Sequence, residues 1–116
     1  MHEMSTCRSL IKQVENSLGD YSSIVVKSID VSIGTLSNID IAELVELFPL
    51  ASKNTITENA KLNITTVIPR ISCLDCGVDA QAADRKLICP ACHSKNTIPL
   101  DGDKLFLTNI ELESED

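Results

Sequence analysis

Aromatic residues are nearly missing from this 116-residue chain, which has no tryptophan and only Tyr21, Phe48 and Phe106. Basic residues are also few, since ten Lys and Arg stand against seventeen Asp and Glu, for a formal charge of −7. Proteins that bind nucleic acid usually present a basic face, often with aromatic side chains on which bases stack. Both shortages argue against a nucleic-acid partner.

Long apolar runs are absent as well. The nearest approach, residues 24–33, contains Lys27 and Asp30, and a membrane-spanning helix needs about 20 apolar residues. Nothing before Met4 resembles a secretion signal, so we expect a cytoplasmic protein without membrane association. The chain is 43% hydrophobic, which is enough for one modest domain, with or without a small appendage, whose core must be aliphatic.

Two C-x-x-C pairs carry the strongest chemical signal: Cys73 with Cys76, and Cys89 with Cys92. Two such knuckles bring four thiolates to one point, which closes the coordination shell of a zinc ion and leaves no position for substrate. The sequence therefore predicts a structural zinc site. Iron in the same four-thiolate geometry is the main alternative, and a disulfide framework or redox pair is less favoured in a reducing cytosol.

Two stretches show the apolar spacing of helices. Residues 4–18 form the first, and Gly19 supplies a stop. The second follows a capping box at residues 40–43. Pro49 lacks a backbone N–H, so this helix is predicted to kink or end near Phe48.

Strands are predicted at residues 24–33, at 62–68 and at 105–112, from β-branched alternation and flanking turn residues. Because helices and strands lie on both sides of the cysteine segment, the sequence predicts an α+β fold. In it, a small mixed sheet with two helices occupies residues 1–70 and 101–116, and a zinc-ribbon-like domain is inserted at residues 71–100.

The N-terminus offers a second set of metal ligands. The α-amine of Met1, the amide nitrogen and imidazole of His2 and the amide of Glu3 can form fused chelate rings around one ion. Such nitrogen donors favour the square-planar geometry of Ni(II) or Cu(II) over tetrahedral Zn(II). From position alone, however, a histidine beside the initiator is more often a solvated residue.

Several segments together resemble the HypA/HybF family of hydrogenase and urease nickel-incorporation proteins, and the resemblance runs essentially end to end. The segments are Met1-His2-Glu3-Met4-Ser5, residues 31–37, residues 60–64, Cys73-x-x-Cys76-Gly77 and Cys89-Pro90-x-Cys92-His93-Ser94. The resemblance implies a nickel metallochaperone, not an enzyme, with a nickel-binding domain and a zinc domain.

In that family the nickel ligand is the histidine at position 2, helped by adjoining main-chain nitrogens, which correspond here to His2 and Glu3. The implied partners are a HypB-type nickel-maturation GTPase, the hydrogenase large subunit and, as a further candidate, urease accessory proteins. Three positions depart from the family pattern, namely Thr35, Pro49 and His93, and none of them is a predicted metal ligand.

Three other residues have competing interpretations. Asp40 is a candidate nickel ligand, although a helix cap is the favoured role. Cys7 lies on the apolar stripe of the first helix and is predicted to be a core residue. His93 either contacts the zinc knuckle or is exposed.

Two other function classes remain beside the nickel carrier. A zinc-ribbon interaction module would bind a protein partner without nickel affinity at His2. A metal hydrolase would need an open coordination position, which a four-cysteine site lacks.

Overall fold

A computed structural model describes residues 2–19 and 24–113 of the chain. It contains two helices and six strands in the order α1 (Glu3–Leu18), β1 (Val26–Gly34), α2 (Ile41–Ser52), β2 (Lys61–Val67), β3 (Arg70–Cys73), β4 (Asp79–Gln81), β5 (Thr97–Pro99) and β6 (Leu105–Leu112). The predicted α+β class is confirmed. Among the described residues, no helix is long and apolar enough to cross a membrane.

The described residues form two three-stranded sheets. The first has the order β2-β1-β6, so β6 returns to the sheet of β1 and β2, as expected for a sheet that draws on residues 1–70 and 101–116. The second has the order β4-β3-β5, and both of its pairings are antiparallel. The three short strands of the second sheet were not predicted, because segments of three or four residues carry too little periodicity to be recognised.

The chain divides into two compact units. The first comprises Met1–Val31, Asn38–Ile64 and Leu107–Asp116, and the second comprises Ser32–Ser37 and Thr65–Phe106. The second unit extends past residues 71–100 on both sides, and the boundaries of a separate zinc domain stay a prediction.

The core of the first unit is aliphatic, in line with the scarcity of aromatic residues. Helix α1 packs against α2, and the buried face of α1 consists of Cys7, Leu10, Ile11 and Val14, all at most 4% exposed. Phe48 of α2, at 2% exposure, is the aromatic side chain in this core. Tyr21 lies outside the described residues. The helical stripe read from the sequence is therefore the face that holds the two helices together.

Of the two predicted outcomes, a kink or an end of α2 near Phe48, the end was wrong, because the helix continues through Pro49 to Ser52. Tertiary contacts at its end explain the difference. Ser52 is fully buried, its carbonyl accepts bonds from the N–H and hydroxyl of Thr55, and its hydroxyl accepts a bond from Thr57 at 2.8 Å. These bonds hold the last turn in place despite the lost proline donor.

In the second unit, two glycines come into close contact. The amide of Leu36 donates to the carbonyl of Gly102 at 2.9 Å, and the amide of Gly34 donates to the carbonyl of Lys104 at 3.0 Å. A Cβ atom on Gly34 would lie only 2.0 Å from the Gly102 oxygen. A side chain at position 34 is therefore sterically incompatible with this backbone pairing.

Candidate metal centres

The four cysteines of the C-x-x-C pairs converge in the second unit. Cys73 ends β3, and Cys76 follows in the turn that leads to β4, while Cys89 and Cys92 belong to a second turn before β5. Cys73 and Cys89 are buried in a small core with Ile71 and Ala82, whereas Cys76 and Cys92 are exposed. The core thus fixes one thiol of each pair and leaves the other at the surface.

The spacing of the four sulfurs suits a tetrahedral metal site. All four Sγ atoms lie within 4.8 Å of one another, with 3.6 Å between Cys73 and Cys92 and 3.7 Å between Cys76 and Cys89. Zinc–sulfur bonds of about 2.3 Å imply sulfur–sulfur separations of about 3.8 Å in a tetrahedron. A disulfide would need about 2.05 Å, and all five cysteines are free thiols.

Backbone N–H groups point at the sulfurs from within each turn. The amide of Cys76 lies 3.5 Å from the Cys73 sulfur, and the amide of Ala91 lies 3.4 Å from the Cys89 sulfur. Such donors stabilise thiolates, which are the form that binds metal. The donor set therefore has the chemistry, as well as the spacing, of a structural zinc site.

The four thiols differ in how readily they ionise when no cation is present. The Cys76 amide is the largest cause that lowers the pKa of Cys73, to about 7. The Ser94 amide also acts to lower the pKa of Cys92, but desolvation and the neighbouring thiols outweigh it and raise this pKa to about 12. A divalent cation at the centre favours the charged form of each ligand and allows all four thiolates to form.

His93 is exposed and has a left-handed backbone conformation, with φ of 62°. Its amide donates to the Cys89 carbonyl at 3.0 Å, which closes the second knuckle. A left-handed turn favours glycine. His93 therefore adopts a backbone conformation that glycine reaches more readily.

The sequence interpretation missed one feature of this centre. Asp75, Ser94 and Asn96 join the two knuckles through side-chain hydrogen bonds. The sequence interpretation assigned no role to Asp75, although aspartate and serine in or beside turns commonly form local side-chain hydrogen bonds.

The N-terminal candidate site begins at α1, for which His2 is the N-cap residue. The His2 side chain is exposed and makes no capping hydrogen bond, while its carbonyl accepts from the N–H and hydroxyl of Thr6 at 2.9 and 3.0 Å. The imidazole is thus accessible, and the backbone beside it is held in place. The Met1 α-amine, also predicted as a ligand, lies outside the described residues.

Asp40 caps α2, as favoured from the sequence. Its carboxylate accepts a bond from the Glu43 amide at 3.1 Å, and its carbonyl accepts from the Leu44 amide at 2.9 Å. The residue remains exposed, so one carboxylate oxygen beyond the capping bond is available for a second role.

Glu3 connects the start of α1 with the start of α2. Its side chain is only 3% exposed. The backbone amides of Asp40 and His2 donate hydrogen bonds to the Glu3 carboxylate. These contacts bring the predicted nickel ligands of α1 close to the cap of α2.

Cys7 is a core residue, as predicted. It is fully buried, and its thiol donates to the Leu44 carbonyl at 3.6 Å. Burial raises the pKa of Cys7, and the charge of Glu3 adds to this effect. A protonated, buried thiol is a poor metal ligand and a poor nucleophile.

Comparison with known proteins places these two centres in context. Residues 1–112 match the family model described as HypA, hydrogenase/urease nickel incorporation, metallochaperone. The hydrogenase maturation factor HypA of Shewanella sp. (strain MR-7) is 34% identical over 116 residues, which covers 100% of this chain and 98% of the relative. The factor of the same name from Aquifex aeolicus (strain VF5) is 33% identical over 113 residues, covering 97% and 98%.

A solved structure of a HypA protein has a similar fold. The solution structure of the Ni metallochaperone HypA from Helicobacter pylori superposes with a TM-score of 0.69 and 27% identity. The superposition covers 99% of this chain and 100% of that one.

Proposed function

Because this chain belongs to the HypA family of hydrogenase and urease nickel-incorporation metallochaperones, we propose that it binds Ni(II) at its N-terminus and passes the ion to a nickel enzyme under assembly. One observation carries the proposal. His2 presents an exposed imidazole at the start of α1 in a chain that matches the family model over residues 1–112.

The proposed nickel ligands are the α-amine of Met1, the imidazole and amide nitrogens of His2 and the amide nitrogen of Glu3. Helical hydrogen bonds run from an N–H to the carbonyl four residues earlier, so amides at the start of α1 lie outside this ladder. Coordination by these nitrogens therefore leaves the helix ladder intact. Asp40 is the candidate for an additional oxygen ligand, and its contact with Glu3 supports its nearness to the site.

The proposed zinc ligands are Cys73, Cys76, Cys89 and Cys92. When bound, zinc supplies a closed tetrahedral centre that links the two knuckles, and its binding energy contributes to folding. The four cysteines use every coordination position, so this centre offers no site for substrate. We infer that the chain acts as a carrier and not as an enzyme.

Transfer of nickel requires partners. The sequence has no P-loop, so we propose that a HypB-type GTPase couples nucleotide hydrolysis to delivery, with docking near the N-terminus and α1. The proposed recipient is the hydrogenase large subunit in the cytoplasm, and urease accessory proteins are the second candidate. Pull-down of the GTPase by zinc-loaded protein tests this part, and failure to form a complex at micromolar concentration contradicts it.

Nickel titration of protein with a native N-terminus tests the nickel site. We expect one Ni(II) per chain, with the weak d–d absorption of a planar nitrogen site. His2→Ala should abolish this binding without releasing zinc, because the two centres share no ligand. His93→Ala is the matched control, since it removes the other histidine of the chain, also an exposed one, and should leave nickel affinity unchanged.

A tag before Met1 provides an independent arm, because it converts the α-amine into an amide, whereas a tag after Asp116 leaves the proposed ligands unaltered. Nickel should bind the C-terminally tagged protein more tightly. Equal nickel affinity in the extended protein, the His2→Ala variant and the native chain would contradict the proposal. That result would leave the zinc-ribbon interaction module as the better interpretation.

A further inference from the structure

A hydrogen-bonded bridge joins the two zinc knuckles independently of the metal. Asp75 lies inside the first C-x-x-C pair, and Ser94 and Asn96 follow the second. The Ser94 hydroxyl donates to one oxygen of the Asp75 carboxylate, and the Asn96 side-chain amide donates to the other at 3.2 Å. The Ser94 oxygen also accepts from the Asn96 backbone amide at 3.0 Å, so the three residues form a connected network.

This bridge lies beside the exposed pair of thiols. Cys76 directly follows Asp75, and Cys92 precedes Ser94 by two residues, whereas Cys73 and Cys89 are held in the buried core. An incoming chelator or competing protein ligand reaches the sulfurs from the exposed side. Detachment of an exposed thiolate requires its knuckle to move away from the other one.

We propose that Asp75 is a positioning residue that holds the two knuckles together on their exposed side and thereby slows the loss of zinc. The proposal rests on the zinc coordination given above. The Leu74 amide donates a hydrogen bond to the Asn96 carbonyl at 2.9 Å. This backbone bond joins the same two segments and keeps the side chains of the network close together. Both oxygens of the carboxylate accept hydrogen bonds, so substitution of Asp75 removes two links at once.

Simple electrostatics predicts the opposite effect. Four thiolates around a divalent cation carry a net negative charge, and the Asp75 carboxylate adds another beside it. If repulsion dominated, removal of this carboxylate would strengthen zinc retention. The sign of the change therefore distinguishes a bridge from an unfavourable charge.

The test is the rate of zinc transfer from the full-length protein to an excess of a chromogenic chelator. Asp75→Ala and Ser94→Ala should each accelerate zinc loss by roughly three- to tenfold, the range expected for one or two hydrogen bonds. Ser94→Ala is informative because it breaks a link and leaves every charge in place. Asp79→Asn is the matched control, since it removes an exposed carboxylate on β4 of the same unit, and its rate should stay within about twofold of the native rate.

The double variant Asp75→Ala/Ser94→Ala tests whether the two residues act together. It should lose zinc no more than about twofold faster than Asp75→Ala alone, because the shared link is already broken. Multiplication of the two single effects would overturn the proposal. Slower or unchanged zinc loss in Asp75→Ala would overturn it as well.

Cobalt substitution separates positioning from coordination and from collapse of the site. All variants should keep the thiolate-to-cobalt absorption band of the native protein, because their four cysteines are unchanged. Loss of this band in Asp75→Ala would show that the site itself had failed and would contradict a positioning role. The zinc content of each protein is measured beforehand to test the coordination. Less than one zinc per native chain would refute the zinc assignment. One zinc per chain, with equal rates of zinc loss in the native protein and the Asp75→Ala variant, would refute only the bridge.

Discussion

Substitution of Asp40 separates its observed role as a helix cap from its proposed role as a nickel ligand. The cap bond joins the Asp40 carboxylate to the Glu43 amide at 3.1 Å, and loss of such a cap costs about 1 kcal/mol in the free energy of unfolding. Asp40→Ala removes both the cap and the carboxylate. Asp40→Asn retains an amide oxygen that caps equally well but replaces an anionic oxygen ligand by a neutral one.

The expected stabilities follow from this difference. Asp40→Ala should lower the unfolding free energy by about 1 kcal/mol, equivalent to a fall in melting temperature of roughly 3–6 °C for a chain of this size. Asp40→Asn should stay within about 0.5 kcal/mol of the native protein. Urea denaturation followed by far-ultraviolet circular dichroism measures these values, and equal destabilisation by both variants would refute the capping argument.

Nickel titration of the same proteins addresses the second role. If Asp40 ligates nickel, both variants should bind the ion more weakly than the native chain. Glu43→Gln is the control, because it removes a nearby exposed carboxylate in the first turn of α2 and leaves its backbone amide as the cap donor. Native affinity in Asp40→Asn would restrict this residue to the cap.

Three further predictions follow from the two centres and the fold. Cys76→Ser should release zinc and disorder roughly residues 71–100, while the helices of the first unit persist. Metal analysis and circular dichroism measure these effects, and one bound zinc per variant chain would contradict the prediction. Gly34→Ala should destabilise the protein by about 3 kcal/mol or more in the same urea titration, because its Cβ would lie 2.0 Å from the Gly102 backbone oxygen. Gly77→Ala is the control, because a Cβ there meets no atom within 4 Å, and its φ of 79° should cost only about 1–2 kcal/mol. Nickel affinity should fall as pH is lowered, because protons compete with the metal for the same nitrogens, and a titration series that showed constant affinity between neutral and mildly acidic pH would argue against amide ligands.

The long elements were predictable because their patterns repeat over several turns or strand residues. The apolar stripe identified α1, the turn residues before β6 identified that strand, and the bounds of β6 agree with residues 105–112. Helix α2 was predicted too short, because a proline penalty is local and the hydrogen bonds that outweigh it come from Thr55 and Thr57. The bridge at Asp75 was missed for a similar reason, since its partners lie 19 and 21 residues away.

The sequence by itself determined the chemistry that this protein can offer. The spacing of Cys73, Cys76, Cys89 and Cys92 specifies two knuckles, and the proposed nickel ligands of His2 and Glu3 are neighbours in the chain, because both arrangements depend only on covalent distances. Only the tertiary structure decided which sulfurs are buried, which are exposed, and that Asp75 links the knuckles beside the exposed pair. Tertiary structure also placed Glu3 against the cap of α2. Burial and contacts between distant segments arise when the chain packs, so no local pattern of residues encodes them.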